Sequence, residues 1–457
     1  MRLCLRRNFF FLVSLFQAVW LFSAQLPGAA AVDNAAAALS LDDALSLALE
    51  NNLNLKKNLI DLGGAEYSAN RLWSEVFPAI TGTGGISYPG AGYSSQLFTG
   101  DGFKYEEKAV SYSVGLGISL GLNAGIPFSI KNIRLAYQRN LLDYEDARNL
   151  LAIDITKKFF SMITEKNNLV YLEDILKLAE RQYEKNQISF NNGLMGEMPL
   201  LQSRLGAENA RFNLIAARSS YANNTGEFLA MLGLEHGMET ILLGEINIVR
   251  IEAAADRLIN EYLPKRPDIV SRRQEIQRLE NVKNQTAFSG RAPSLDFSLN
   301  WGSSTFDPEF IDRLSGSAQI RIPIDPWVPG TTKSQAIYKA GLAIDKAKLD
   351  LQIAEDSAKT QIRSLVANLR NSWDSVEIAR LSLTVAERSY QLTEQGFLKG
   401  TVESLVLEDV RNNLANSRQR LLQSELSYFN MTLDLSKSLN MNWKDLVRTY
   451  GVQSEKK

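Results

Sequence analysis

Cysteine and histidine are almost absent from this sequence of 457 residues. The only cysteine is Cys4, near the N-terminus, and the only histidine is His236, within Leu234-Glu235-His236-Gly237. A chain without further cysteine has no disulfide framework and no thiolate chemistry. One histidine is too few for a histidine-based metal site or catalytic triad. We therefore expect no catalytic residue, no metal site and no cofactor, and we expect His236 in a solvated turn.

An excess of charge of one sign is also missing. Lys plus Arg number 50 and Asp plus Glu number 51, which gives a formal net charge of -1. Because proteins that bind nucleic acid usually carry a basic face, this balance argues against nucleic acid as a partner. A hydrophobic share of 45% is too low for a protein built of many membrane-spanning helices. Contact with a membrane would therefore involve few residues, or strands.

The N-terminus has the pattern of a secretory signal peptide. Three arginines within the first seven residues precede an apolar run over residues 9–22, and Ala29-Ala30-Ala31 offers the small residues that a signal peptidase reads. The alternative is an N-terminal membrane anchor, but the run is short for a span. We predict a signal peptide over residues 1–31. Since Cys4 precedes the apolar run, we predict no lipid anchor.

Two parts of the chain resemble each other at a constant shift of 207 positions. Ala179-Glu180-Arg181 recurs as Ala386-Glu387-Arg388, and the match continues without a gap. The further pairs are Tyr183 and Tyr390, Phe190 and Phe397, Gly193 and Gly400, Leu200 and Leu407, Arg204 and Arg411, Asn209 and Asn416, and Tyr221 and Tyr428. A series of this kind predicts an internal duplication. We place a first repeat over residues 32–240 and a second over residues 241–457.

Each repeat contains two segments in which apolar and polar residues alternate, within about residues 78–124 and about residues 293–324. The alternating apolar positions are Val114, Leu116, Ile118, Leu120 and Leu122 in the first repeat, and Leu295, Phe297, Leu299, Trp301, Ala318, Ile320, Ile322 and Ile324 in the second. A period of two predicts strands that have one apolar and one polar face.

Two interpretations of these strands are open: a half-buried sheet on a soluble core, or strands that cross a membrane. A length of about ten residues fits a tilted crossing of a bilayer, and a second face of Gly, Ser and Asn fits a water-filled lumen. Four strands cannot close a barrel, and lipid does not tolerate open strand edges. If the strands cross a membrane, several chains must therefore share one barrel, which predicts an obligate oligomer.

Long helices are predicted after each pair of strands. Residues 129–191 and 332–399 contain no proline, and helices of about 60 residues would run about 90 Å. Apolar residues recur there in steps of three and four, as at Leu169, Leu172, Leu176, Ala179 and Tyr183, and at Val376, Ala379, Leu383, Ala386 and Tyr390. This heptad spacing predicts coiled-coil hairpins, over about residues 128–234 and 332–440. Shorter helices are expected over residues 41–72 and about 252–290.

The order of these elements resembles the TolC-like outer-membrane factor family over essentially the whole mature chain. The resemblance is carried best by the expected hairpin tips, Phe190-Asn191-Asn192-Gly193-Leu194 and Phe397-Leu398-Lys399-Gly400-Thr401. Further segments are Leu263-Pro264-Lys265-Arg266-Pro267-Asp268-Ile269, Ala287 to Leu295 with Pro293, and Ile320-Arg321-Ile322-Pro323-Ile324. No single segment is specific, but the whole set in this order is.

The resemblance implies a mainly α fold with a small β part. Three chains would form a trimeric α-barrel of long antiparallel coiled-coil hairpins and, with four strands from each chain, a shared twelve-stranded transmembrane β-barrel. The protein would be a passive exit duct of a tripartite efflux or type I secretion system, located in the outer membrane and spanning into the periplasm. Its partners would be itself, as a homotrimer, a periplasmic adaptor and an inner-membrane transporter.

Two sets of residues are candidate functional sites. The tip residues Asn192, Gly193, Leu194, Lys399, Gly400 and Thr401 are candidate adaptor contacts; the alternative is that these glycines only end a helix. The resemblance also implies an acidic periplasmic gate past the second tip, where Glu403, Glu408 and Asp409 follow. By distance from Gly400, Asp409 matches one acidic position of the family and Val406 occupies the other. A solvated acidic face is the alternative to a gate.

The alternative function is a periplasmic coiled-coil adaptor or a structural protein of an export system. Adaptors carry a single hairpin between small β-domains, whereas this sequence predicts two hairpins without β-rich flanks. A helical enzyme or binding protein would have to use carboxylates alone, because histidine and cysteine are nearly absent.

Overall fold

The computed structural model of the chain describes residues 37–88, 94–99, 102–107, 111–234, 240–306, 309–399 and 401–452. The predicted signal peptide, His236 and Gly400 lie outside the described residues. The chain divides into a small unit, residues 1–38 and 238–241, and a large unit, residues 39–237 and 242–457. The long helices and the main sheet belong to the large unit.

Helices account for most of the described chain. They are α1 (Leu41–Asn51), α2 (Leu53–Asn70), α3 (Ile126–Asn191), α4 (Glu197–Leu232), α5 (Ala255–Tyr262), α6 (Pro267–Arg291), α7 (Thr332–Leu398), α8 (Ser404–Leu439) and α9 (Trp443–Tyr450). Short 3-10 turns lie at Leu72–Val76, Leu263–Lys265 and Asp325–Trp327. With 66 and 67 residues, α3 and α7 are each about 100 Å long. They pair with α4 and α8 respectively, so that each repeat contributes one long hairpin.

The strands are β1 (Ala37–Leu39), β2 (Ala79–Ser87), β3 (Ser94–Thr99), β4 (Gly102–Glu107), β5 (Ser111–Leu122), β6 (Thr240–Leu242), β7 (Arg250–Ile251), β8 (Ser294–Phe306), β9 (Glu309–Arg321) and β10 (Gly451–Val452). The main sheet is antiparallel, with the order β2-β5-β8-β9. Short two-stranded sheets are formed by β1 with β6, by β7 with β10 and by β3 with β4.

The main sheet has one apolar and one polar face. Across β5 and β8, Leu116 is opposite Trp301, and the next pair, Gly117 and Asn300, points to the other face. The apolar face is open, since Leu116 is 55% exposed. The interpretation as a half-buried sheet on a soluble core is therefore wrong for this chain. The mainly α fold class with a small β part is confirmed.

The hairpin of β3 and β4 was not predicted. Its strands have six residues each, too few for a clear alternation of apolar and polar residues. The dipeptide Gly100-Asp101 between them is a sequence signal typical of hairpin turns.

Two expected helices are interrupted, at Asn52 and at residues 263–266. The side chain of Asn52 caps α2 by accepting hydrogen bonds from the N–H groups of Asn54 (3.0 Å) and Leu55 (3.1 Å). Its amide also donates to the carbonyl of Met231, at 3.2 Å. In the second repeat, Arg266 precedes α6 and donates to Ser438 at 2.8 Å, and Ser438 lies 207 positions after Met231. The two repeats therefore use the same junction, with different side chains.

The largest buried side chains lie far from the hairpin tips. Phe159 and Phe228 are fully buried in the first repeat, and Tyr428 is buried in the second. Nearer the first tip, the buried cluster consists of three alanines, Ala179, Ala207 and Ala210. Since alanine buries little area per turn, the tip ends of the hairpins are held by less apolar contact than their centres.

Among the described residues, none of the helices combines the length and the apolar character that a membrane crossing requires. The long helices α3 and α7 have the mixed polarity expected of coiled-coil hairpins.

Candidate gate and hairpin tips

The first hairpin tip is a glycine-terminated turn between α3 and α4. Gly193 has a φ of 69°, a left-handed conformation that glycine adopts without a steric clash. Its N–H donates to the carbonyl of Phe190, and the N–H of Leu194 donates to that of Ser189, both at 2.9 Å. The two bonds form a Schellman cap. Leu194 beyond it is 80% exposed, so the cap holds an apolar side chain in solvent.

The second tip has a similar backbone and a more polar surface. The N–H of Thr401 donates to the carbonyl of Gly396 at 2.9 Å, and its hydroxyl donates to the same carbonyl at 3.0 Å. Gly396 lies 207 positions after Ser189, so an equivalent backbone bond closes both tips. Lys399 and Thr401 are exposed, while Gly400 between them lies outside the described residues.

The three candidate gate acids lie in different surroundings. Glu403 is exposed at the start of α8 and makes no capping hydrogen bond there. Asp409 is also exposed. The side chain of Glu408 is only 27% exposed and contacts the first hairpin. Glu408 therefore differs from Glu403 and Asp409, because it is partly buried against another hairpin and they are exposed to solvent.

Glu408 lies against a glycine of the first hairpin. A β-carbon at Gly206, in α4, would stand 2.7 Å from Oε1 of Glu408. Arg411, one turn further along α8, has its guanidinium 3.9 Å from the same oxygen and is 14% exposed. Its Nε has no hydrogen-bond partner among the described residues. Gln182 and Ser203 help to line an adjoining cavity of about 20 Å³, which has room for one water molecule.

The contact between α3 and α8 continues from this point toward the core. Its pairs are Tyr171 with Arg418 (5.6 Å from ring centroid to guanidinium carbon), Phe160 with Phe429 (4.6 Å between ring centroids) and Lys157 with Asp434 (2.5 Å). Burial raises the pKa of Tyr171, although the charges of Arg418 and Arg411 oppose this shift. We call this line of contacts, from Glu408 to Asp434, the hairpin seam.

The outer faces of α4 and α7 expose apolar residues in regular steps. On α4 these are Leu201, Leu205, Phe212 and Ile215, and on α7 they are Ile378, Leu381, Val385 and Leu392. Steps of three, four and seven place each set on one side of its helix. Regular apolar stripes of this kind mark surfaces that pack against another helix.

The sequence pattern does not predict the seam around Glu408. In that pattern Arg411 is only the repeat of Arg204, and Gly206 belongs to no predicted site. A signal was available, because a glycine inside a long helix costs about 1 kcal/mol relative to alanine and often indicates a packing reason. The residue that Gly206 contacts could not be read from the sequence.

The described part of the chain contains no group of three or more His, Cys, Asp or Glu side chains placed to hold a metal ion. The charged residues at the seam instead contact one another and the neighbouring hairpin.

The sequence matches a known protein family and several known proteins. A family model described as outer membrane efflux protein matches residues 44–234 and 258–441. The toluene efflux pump outer membrane protein TtgC of Pseudomonas putida is 22% identical over 420 residues, covering 88% of this chain and 83% of that protein. The outer membrane protein TolC of Escherichia coli is 20% identical over 320 residues, covering 66% and 64%.

The fold also matches solved structures. The outer membrane channel CmeC of Campylobacter jejuni superposes with a TM-score of 0.70 at 17% sequence identity, covering 89% of this chain and 88% of that one. The open state of the outer membrane channel MtrE of Neisseria gonorrhoeae superposes with a TM-score of 0.65 at 15% identity, covering 88% and 89%.

Proposed function

Because the chain belongs to the outer membrane efflux protein family, we propose that it forms a passive exit duct through the outer membrane and into the periplasm. The observation that carries this proposal is the four-stranded sheet, whose apolar face is exposed and whose edge strands β2 and β9 have no further neighbour within the sheet. At one end of this sheet β5 leads into α3, of 66 residues, and β9 leads through the turn at Asp325–Trp327 into α7, of 67 residues. A sheet with these properties suits a barrel wall shared by several chains.

A homotrimer satisfies the surfaces that one chain leaves open. In a ring of three, β9 of one chain would pair with β2 of the next, so that no strand edge faces lipid. The apolar stripe on α4 would pack against the stripe on α7 of the neighbouring chain. One rotation that relates each chain to the next would form both the strand contact and the helix contact, as a closed cyclic assembly requires.

The partners of such a duct are a periplasmic adaptor and an inner-membrane transporter, and the hairpin tips are the proposed adaptor contacts. Leu194 carries most of this argument, because a rigid cap presents it to solvent. Leu194→Asp should abolish efflux in cells while the purified channel still conducts. Val170→Asp, at an exposed position of α3 about 30 Å from the tip, is the control and should retain efflux. Retained efflux in Leu194→Asp would remove the first tip from the contact.

We base the proposed roles of Glu403, Glu408 and Asp409 at the periplasmic gate on how exposed each side chain is. Asp409 and Glu403 would face the pore near its periplasmic end, where carboxylates favour cations. Glu408 would act with them by holding the second hairpin against the first at Gly206. Opening would then require the thinly packed tip ends to separate, while the aromatic core near Phe159 stays closed.

A single-channel recording in a planar bilayer tests the proposed function most directly. A trimer in mild detergent that yields stable conductance steps is expected. Recovery as a soluble monomer without conductance would overturn the proposal. The adaptor alternative is not favoured, because the described residues form two long helical hairpins and a sheet with an open apolar face. We propose no chemical step for this protein.

A further inference from the structure

An aromatic and arginine-rich collar surrounds the end of the main sheet from which the helices leave. We define the collar as Tyr67, Arg71, Trp73, Phe77, Arg291 and Trp327. All four strands meet this edge, because Ala79 pairs near the end of β5 and Ser294 pairs with Arg321 at the end of β9. If the proposed function is correct, this edge faces the periplasm.

Each repeat places one arginine on an exposed aromatic ring at this edge. Arg71, directly after α2, has its guanidinium carbon 3.6 Å from the ring centroid of Tyr67. Arg291, the last residue of α6, lies 5.0 Å from the ring centroid of Trp327. Tyr67 is 60% exposed and Trp327 65% exposed. Both arginines therefore lie at helix-to-strand junctions and against an exposed ring, but the rings come from different elements: Tyr67 belongs to α2, and Trp327 to the turn between β9 and α7.

Among the described residues, neither arginine forms an ion pair with a carboxylate. In the described part of the chain, no acidic oxygen lies within 4.0 Å of the guanidinium of Arg71 or Arg291. The nearby acids have other partners: Glu75 accepts a hydrogen bond from Ser129 at 2.6 Å, and Asp325 pairs with Lys333 at 3.2 Å. An arginine at a helix C-terminus also stabilises the helix dipole. That role does not require an exposed aromatic ring beneath the guanidinium.

The apolar part of the collar is equally exposed. Trp73 and Phe77 pack edge to face with their ring centroids 5.1 Å apart, and both are more than half exposed. Aromatic side chains of this kind are enriched where a membrane protein passes from hydrocarbon to headgroups. A guanidinium held flat beside them presents its N–H groups in the geometry that suits a phosphate.

We propose that Arg71 and Arg291 bind the phosphate groups of phospholipids in the periplasmic leaflet, with a preference for anionic headgroups. The aromatic rings would lie at the headgroup level and hold the guanidinium groups toward the lipid. This contact would set the height of the channel in the membrane. The proposal rests on the proposed function, because it requires the sheet to lie in a bilayer.

Quenching of tryptophan fluorescence by brominated lipids provides the test. The full-length trimer carrying Trp301→Phe, which removes the tryptophan within the sheet, is reconstituted into phosphatidylcholine vesicles. Part of the lipid is replaced by brominated phosphatidylglycerol or brominated phosphatidylcholine. We expect the anionic lipid to bind about fivefold more strongly, as for one arginine at a lipid surface. In the Arg71→Gln/Arg291→Gln variant the ratio should fall to about one.

Arg370→Gln/Arg420→Gln is the matched control. Arg370 and Arg420 are exposed arginines on α7 and α8, remote from the sheet. Their removal takes away the same two charges per chain and should leave the lipid preference unchanged. An unchanged preference in an assembled Arg71→Gln/Arg291→Gln trimer would overturn the proposal. If that variant does not assemble, the wild type is measured in 1 M salt, where screening within about 3 Å should bring the ratio toward one. Persistence of the preference in 1 M salt would also overturn the proposal.

Failure of the two proposals can be told apart. Equal quenching by both lipids in the wild type would overturn lipid selection alone, because the protein would still be in the bilayer. No quenching by either lipid would overturn the proposed function as well.

Discussion

Glu408 of the second hairpin lies so close to Gly206 of the first that a β-carbon at position 206 fits only if the Glu408 carboxylate moves away. A β-carbon at position 206 would stand 2.7 Å from Oε1 and 3.7 Å from Cδ of Glu408. The two residues are 202 positions apart in the chain and belong to different repeats. A helix-destabilising glycine is thus matched to a carboxylate at the tip end of the hairpin seam.

This contact predicts an energetic coupling between the two residues. Gly206→Ala should gain about 1 kcal/mol of helix propensity but push the Glu408 carboxylate out of the seam, so its net effect in the wild type should be near zero or destabilising. In a Glu408→Ala background, the same change should stabilise by about 1 kcal/mol. The measurement is a double-mutant cycle on the unfolding of the trimer in mild detergent.

Gly341→Ala is the control for that cycle. Position 341 lies inside α7, and the nearest atom to an added β-carbon is Nζ of Lys283 at 3.8 Å, an ordinary contact. This change should stabilise equally in both backgrounds. Equal effects of Gly206→Ala in both backgrounds would show that the contact carries no energy.

The exposed acid Asp409 should determine the ionic preference of the pore. Asp409→Asn should reduce cation selectivity, because it removes one carboxylate per chain near the proposed gate. The reversal potential in a salt gradient across a planar bilayer reports this change. Glu408→Gln should have the smaller effect, since Glu408 is half-buried against the first hairpin. A larger effect of Glu408→Gln would reverse the assignment of the two acids.

The buried Arg266 predicts acid sensitivity of the junction before α6. Its guanidinium donates to both carboxylate oxygens of Asp268 (3.0 and 2.9 Å) and to Gln361 (3.1 Å). Burial alone would raise the pKa of Asp268, but the hydrogen bonds and charge of Arg266 outweigh it, and the pKa lies below its ordinary value of 3.8. A lowered pKa adds stability above pH 3.8, which is lost as the pH falls through the folded value.

Arg266→Met should therefore destabilise the trimer at pH 7 by about 1–3 kcal/mol, at the lower end because Asp268 is half exposed. It should also weaken the loss of stability below pH 4. Thermal unfolding midpoints at pH 7 and below pH 4 measure both effects. Arg363→Met, which removes an exposed pair with Asp256, is the control and should change either midpoint little. An unaltered acid response in Arg266→Met would contradict the pairing argument.

The apolar stripe on α4 should be required for assembly. Phe212 is 71% exposed, and Phe212→Glu would place a charge in the proposed contact with α7 of a neighbouring chain. The trimer fraction in size-exclusion chromatography with light scattering should fall. Asn213→Glu, at the adjacent exposed position, should assemble normally. Intact trimers of Phe212→Glu would place the chain-to-chain contact elsewhere.

Features that depend on local spacing could be predicted from the amino-acid sequence alone. The alternation from Val114 to Leu122 indicates a strand, which the structure contains as part of β5. The absence of proline over residues 332–399 indicates a long helix, and α7 runs from Thr332 to Leu398. These patterns could be read because residues two, three or four positions apart share a face. The repeated tips were visible for the same reason, since Gly193 ends a helix through bonds to residues just before it.

Which distant residues are in contact could be learned only from the folded chain. The sequence grouped Glu408 with Asp409, but neighbouring positions on a helix point in directions about 100° apart, so one contacts Gly206 while the other remains exposed. The break at Asn52 depends in part on the carbonyl of Met231, 179 positions away. The pairing of Arg291 with Trp327 depends on how α6 and the turn after β9 approach the same edge. Contacts of this kind produce no periodic pattern in the sequence, because the packing of the helices and strands determines which distant positions come together.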